Sequence, residues 1–156
     1  MYIRGKYLYG NKDVEEVMDI RRKVFCEEQE FDESVTFDEY DSLAIHALVY
    51  NEEDVPVASG RIIINNDEFL IGRIGVLKEE RGKKIGDFLV RMLVDKVFSL
   101  GGDCVVVHSQ LHAIKFYKKI GFVLVGEVFE ENGVPHQRLE IKNGQLCKEC
   151  NNPSCK

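Results

Sequence analysis

The chain has 156 residues, of which 44% are hydrophobic and 31% charged, and it carries a net charge of −6. That length suits one domain with a real core, and the acidic balance argues against general affinity for nucleic acid, which needs clustered lysine and arginine. No run of 18 apolar residues occurs and residues 2–11 lack the apolar core of a signal peptide, so a cytoplasmic protein that does not enter membranes is expected.

Residues 2–9 read as a strand and 13–28 as an amphipathic helix with Val14, Val17, Met18, Val24 and Phe25 inward. Glu27, Glu28, Glu30, Asp32, Glu33, Asp38, Glu39 and Asp41 then crowd a 15-residue segment. It is either a solvated loop or a surface that draws in a cationic amine. Strands are predicted at 44–50 and 55–65, joined by an acidic turn, and at 69–77 after Asn65-Asn66-Asp67. A helix over 82–100, a buried strand over 104–108 and a helix over 110–122 follow. The last two strands, 123–129 and 135–141, flank Asn132-Gly133, a type I′ hairpin signal. Strands and helices in this order predict a mixed α/β domain over 1–142, with a cysteine-containing tail over 143–156.

The most informative segment is Arg73-Ile-Gly-Val-Leu-Lys-Glu-Glu-Arg-Gly-Lys-Lys-Ile-Gly-Asp-Phe-Leu, an apolar strand running through a glycine-containing loop into a helix. A helix start offers unpaired N–H groups and the positive end of the dipole. Gly82 and Gly86 let an anion approach the main chain, and Arg81, Lys83 and Lys84 add positive charge, which suits a pyrophosphate. Neither Gly-x-x-x-x-Gly-Lys-Ser/Thr nor Gly-x-Gly-x-x-Gly is present. The segment resembles the pyrophosphate-binding motif of the GNAT superfamily of acetyl-CoA-dependent N-acyltransferases, Arg/Gln-x-x-Gly-x-Gly/Ala. Arg81 and Gly86 match its ends, while Lys84 stands at its first glycine. There Lys84 either takes a strained positive φ or joins the first helical turn.

A second segment supports the resemblance. Ala113, Phe116, Tyr117 and Ile120 form an apolar face closed by Gly121, and Ala-x-x-Phe-Tyr-x-x-x-Gly-Phe is similar to a further GNAT motif. Ile20 to Gln29, Asp38-Glu-Tyr-Asp, His46, Gly60-Arg61 and Gly126 to His136 resemble the ElaA-like branch, across nearly the whole domain. The resemblance implies a mostly antiparallel central sheet with splayed middle strands flanked by helices. It also implies acetyl-CoA as co-substrate and a primary amine, on a small molecule or a protein, as acceptor. Coenzyme A would meet Ile74, Val76, Arg81, Gly82, Lys83, Lys84, Ile85, Gly86, Asp87, Gln110, Ala113, Phe116 and Tyr117. Tyr117 would protonate the departing thiolate, and the Val76 N–H would polarise the thioester carbonyl. A non-catalytic acyl-CoA-binding module is the alternative, since the family's usual carboxylate on the fourth strand is replaced by Ile71-Gly72-Arg73-Ile74.

An amine with a lysine-like pKa costs ~4–5 kcal/mol to deprotonate at neutral pH, so a base is required. Glu28 and His108 lead the candidates, ahead of Asp41, His46, Glu127 and His136. Cys26 and Cys104 read as small core residues. Cys147, Cys150 and Cys155 form Cys-x2-Cys-x4-Cys on the polar tail. They are open to zinc with a fourth ligand from elsewhere, to redox pairing, or to an unstructured thiol-rich tail. A monomer and a homodimer both remain open.

Overall fold

The structure, a computed structural model, describes residues 3–146. Seven strands form one sheet in the order β1-β2-β3-β4-β5-β7-β6: β1 (Arg4–Tyr9), β2 (Ile45–Tyr50), β3 (Pro56–Asn65), β4 (Glu68–Val76), β5 (Cys104–Gln110), β6 (Val123–Glu131) and β7 (Val134–Lys142). Every pairing is antiparallel except β4 with β5. That parallel contact needs a crossover, which α3 (Ile85–Ser99) supplies. The remaining α-helices are α1 (Glu15–Arg21), α2 (Glu33–Thr36) and α4 (Ile114–Ile120).

Two glycines show how the sheet is covered. A Cβ on Gly60 of β3 would lie 2.9 Å from Leu93 of α3, and one on Gly75 of β4 would lie 3.0 Å from Val24. Gly75 pairs with Ser59, which points to the side opposite Gly60, so α3 and the α1 segment pack on opposite faces. Leu89, Val90, Leu93, Val94 and Val97 of α3 are fully buried, as are Val17 and, nearly so, Ile20 and Val24 on the other face. Each such side chain contributes about 1.5–3 kcal/mol of transfer free energy. Met18 and Phe25, expected inward, pack against this core while only partly buried.

The hairpins follow their turn residues. Asn132 and Gly133 have φ of 53° and 76°, Glu131 pairs with Val134, and the left-handed pair matches a type I′ turn. Asn66 and Asp67, with φ of 50° and 63°, close β3 onto β4 in the same way.

Three boundaries differ from the sequence reading. The helix expected over 13–28 is α-helical only to Arg21; Arg22–Glu28 is a π-helix, with Gln29 N donating to Val24 O at 3.2 Å. Apolar spacing does not register such a widening, because both forms bury Val24. The helix expected over 110–122 begins at Ile114 after a 3₁₀ turn, Leu111–Ala113. Gln110 instead ends β5, extended and paired with His136. The helix expected from residue 82 starts at Ile85, because Lys84 is left-handed, with φ 64°.

That φ decides between the two readings of Lys84: it occupies the backbone conformation a glycine would take without strain. A side chain costs about 1–2 kcal/mol there. Lys84→Gly is therefore expected to raise the melting temperature by ~2–4 °C, part of the relief being offset by greater freedom of the unfolded chain. Lys84→Val should lower it. A glycine variant that melts below the parent would mean the lysine side chain, and not its backbone, matters for stability.

Candidate active site

β4 and β5 are paired only at Phe69–Val105, Leu70–Val106 and Ile71–Val107. Beyond that the strands part. Arg73 sits in β4 with φ 52°, where the register with β3 shifts between Ser59 and Arg61, so β4 carries an extra residue and bends away from β5. Leu77 N donates to Val57 O of β3 at 2.9 Å. By strand alternation Val76 then directs its main-chain groups to the opposite edge, toward the gap. Its carbonyl accepts there from Arg81 Nε at 3.1 Å.

The gap opens into a cavity of about 570 Å³. Its walls are β4 (Arg73, Ile74), β5 (His108, Gln110), Tyr117 of α4, the β6–β7 hairpin (Glu131, His136) and the segment between α1 and β2 (Phe31, Asp38). The 81–86 loop lies at the far end of the parting. A Cβ on Gly86 would be 3.5 Å from both Val76 and Phe116, and the Phe116 ring stands edge-on to Tyr117 with centroids 5.0 Å apart. Val76, Gly86, Phe116 and Tyr117 thus connect loop and cavity.

Within the loop, Gly82 has φ 81° and open space around its Cα. The α3 start supplies main-chain N–H groups, but two of the three cations are already engaged. Arg81 makes a two-pronged ion pair with Glu28, both bonds 2.6 Å, and Lys83 pairs with Glu80 at 2.9 Å. The Ile85 side chain is in the core and the Asp87 carboxylate bonds Arg91, so both residues would reach a ligand by main chain alone.

This geometry corrects several proposed bases. Glu28 is committed to Arg81, whose hydrogen bond holds its carboxyl below the ordinary range, and it is not on the cavity wall. His46 is fully buried. Arg21 Nη2 can only donate to its Nδ1, at 3.3 Å, so Nε2 carries the hydrogen and bonds Gly10 O at 3.0 Å. Asp41 is buried between Arg21 and Arg61, each at 2.8 Å. Glu127 is exposed on β6, away from the cavity. Within the acidic segment Glu27, Glu30, Asp32, Glu33 and Glu39 are exposed, while Asp38 and Asp41 are drawn into ion pairs. Asp38 bonds Arg61 at 2.6 and 2.8 Å. Burial pushes its carboxyl up, yet Arg61 and Arg73 more than offset that and hold it below the ordinary value.

His108 and His136 do face the cavity, joined by a residue outside the sequence-derived candidates. Glu131 bonds His108 Nδ1 at 3.1 Å and lies 3.7 Å from His136 Nε2. Its carboxyl is held down first by the His108 hydrogen bond. His136 Nδ1 donates to Val134 O at 2.7 Å. Nothing in the sequence singled out Glu131 from its neighbours; only the β6 register brings it to His108. Tyr117 is buried, and burial raises its phenol well above the usual tyrosine range. Its hydroxyl has no hydrogen-bond partner among the described residues.

Cys147, Cys150 and Cys155 lie outside the described residues; among the described residues no group of three or more His, Cys, Asp or Glu side chains could hold a metal.

Residues 14–143 match the acetyltransferase (GNAT) domain family. Protein YyaT of Bacillus subtilis is 37% identical over 134 residues, covering 84% of this chain and 90% of YyaT. Escherichia coli ElaA is 34% identical over 95 residues, 58% of this chain and 61% of ElaA. The ElaA crystal structure aligns at TM-score 0.75 and 27% identity over 89% of this chain and 99% of that one. A crystal structure from Lactobacillus plantarum shares the fold at TM-score 0.82 and 22% identity, over 91% and 99%. The chain belongs to the GNAT acetyltransferase family, and ElaA is among the proteins it is similar to.

Proposed function

We propose that the protein transfers an acetyl group from acetyl-CoA to a primary amine by direct attack on the thioester. The observation that carries this reading is the His108–Glu131 pair facing the same cavity as the Tyr117 hydroxyl, beside the unpaired edge of β4. The residues present fit coenzyme A: Gly82 and the α3 start leave main chain accessible to a pyrophosphate, and the parted strand edge accepts an extended amide-containing arm.

Glu131 orients His108. With the carboxylate on Nδ1, the imidazole keeps its hydrogen there and its lone pair on Nε2. Nε2 takes one proton from the ammonium, and the freed nitrogen forms the C–N bond while the C–S bond breaks toward sulfur. Val76 N–H steadies the charge on the carbonyl oxygen. Tyr117, protonated at any physiological pH, gives its proton to the thiolate and recovers one, through solvent, from the new amide nitrogen. The proton on His108 leaves to solvent.

Three outcomes test the reading. Gly86→Val places γ-carbons beyond a position already in van der Waals contact with Val76 and Phe116, and should weaken acetyl-CoA binding by about tenfold or more, ~1.4 kcal/mol, in calorimetry. Unchanged affinity would remove the loop from the coenzyme site. Tyr117→Phe should leave acetyl-CoA affinity and melting temperature nearly unchanged while turnover falls roughly 10²- to 10⁴-fold, the range for a lost general acid. Reduced stability with turnover per folded molecule intact would instead make the tyrosine structural. Glu131→Gln removes the carboxylate that holds His108 by its Nδ1 hydrogen, so kcat should fall about tenfold or more while acetyl-CoA affinity stays unchanged. Unchanged kcat excludes the pair as the base. The turnover assays use a panel of primary amines and follow thiol release; coenzyme binding without turnover on any of them would favour a non-catalytic acyl-CoA-binding module.

A further inference from the structure

The residue at the bend of β4 carries more than backbone geometry. Arg73 holds a left-handed conformation although Gly72 is its neighbour, and for a side-chain-bearing residue that costs about 1–2 kcal/mol. Its guanidinium leaves the sheet for the segment opposite. Nη2 donates to Val35 O at 2.8 Å and to Asp38 Oδ2 at 3.1 Å, and Nε donates to Thr36 O at 3.0 Å. Val35 and Thr36 are the last two residues of α2, whose carbonyls have no intrahelical donors and form the negative end of the helix.

α2 is a single turn of four residues, and a helix that short does not hold itself together in water. Its position is imposed from outside. Asp32 caps its start by accepting from Ser34 N at 2.9 Å, and Arg73 closes its end. Past α2 the chain is tied down by Asp38, which Arg61 grips from β3. This same stretch supplies the cavity wall that faces His108 and Glu131.

We infer that Arg73 is a positioning residue that fixes the acceptor wall, residues 31–38, to the strand edge where the thioester is held. The inference rests on the acetyl-transfer reading for what the wall does, though not for the anchoring itself. Because one residue both bends β4 and reaches across the cavity, the distance between thioester and acceptor is set within a single side chain. Lysine cannot replace it, since one ammonium does not present the planar fork that meets three oxygens on two elements.

Arg73→Gly is the informative variant, because glycine adopts the left-handed backbone freely and only the guanidinium is lost. In hydrogen exchange, amides of residues 31–38 should exchange about tenfold faster or more, while those of β2 and β3 keep their protection. Millimolar guanidinium should restore much of the protection, and Arg73→Lys should not. With acetyl-CoA and phenethylamine or spermidine as probes, the amine KM should rise while acetyl-CoA affinity stays within about twofold. Unchanged exchange over 31–38 in Arg73→Gly overturns the anchoring. An equal loss of acetyl-CoA affinity overturns the positioning role. Should the parent protein turn over no amine in the panel, it is the acetyl-transfer reading that fails, and the exchange measurement still decides the anchoring.

Discussion

The parting of β4 from β5 is the constraint on which the rest of the structure depends. Three parallel pairs hold the strands together, and then an extra residue in β4 turns its edge away. A sheet interrupted at its centre would lose cooperativity unless something bridged the gap. α3 does so, with Leu89, Leu93, Val94 and Val97 buried against strands on both sides. The crossover that makes parallel pairing possible is therefore also what permits that pairing to stop early. α3 follows β4 in the chain after the 77–84 segment, and its N-terminus, at Gly86, lies against Val76 at one end of the same gap.

Charge is distributed on the two sides of the gap by different means. On the acceptor side, Arg21, Asp41, Arg61, Asp38 and Arg73 form a continuous ladder in which each anion meets two guanidiniums. Burying such a ladder adds little net stability, since desolvation offsets most of the attraction. What it adds is geometry, because a two-pronged guanidinium fixes direction as well as distance. Asp38 and Asp41 thereby have guanidiniums as their side-chain partners. Glu131 differs: it lies against two imidazoles, His108 and His136.

How much of this was legible follows from what each feature is made of. The hairpin at Asn132-Gly133 and the amphipathic α3 are local, encoded by turn chemistry and helical spacing over a few residues; the hairpin appears where the sequence places it and α3 starts later than expected, at Ile85. The π-helical widening at Arg22, the extended state of Gln110 and the left-handed φ of Arg73 leave no periodic trace. Gln110 pairs with His136 and Arg73 bonds Val35 and Thr36, partners distant in sequence. The candidate bases divide in the same way. His108 and His136 were visible because histidine is rare in this chain and chemically apt. Glu131 was one of 27 acidic residues, and only the pairing of β6 with β7 distinguishes it. Glu28 was a plausible base until its tie to Arg81, 53 positions away, was apparent.

The two halves of the site also differ in how they can vary. The proposed coenzyme half relies on main chain: the open Gly82, the α3 start and the edge of β4. A family pattern written in glycines reads such a half well, and it tolerates Lys84 because the backbone still reaches the required φ. The proposed acceptor half relies on side chains from several separate elements, some of them held by ion pairs. Exchanging Phe31 or Tyr40 would alter what that wall accepts without disturbing the ladder behind it. Resemblance to relatives therefore transfers the donor readily and the acceptor poorly. In this chain the proposed acceptor wall is tied through Arg73 to β4, the strand proposed to hold the donor.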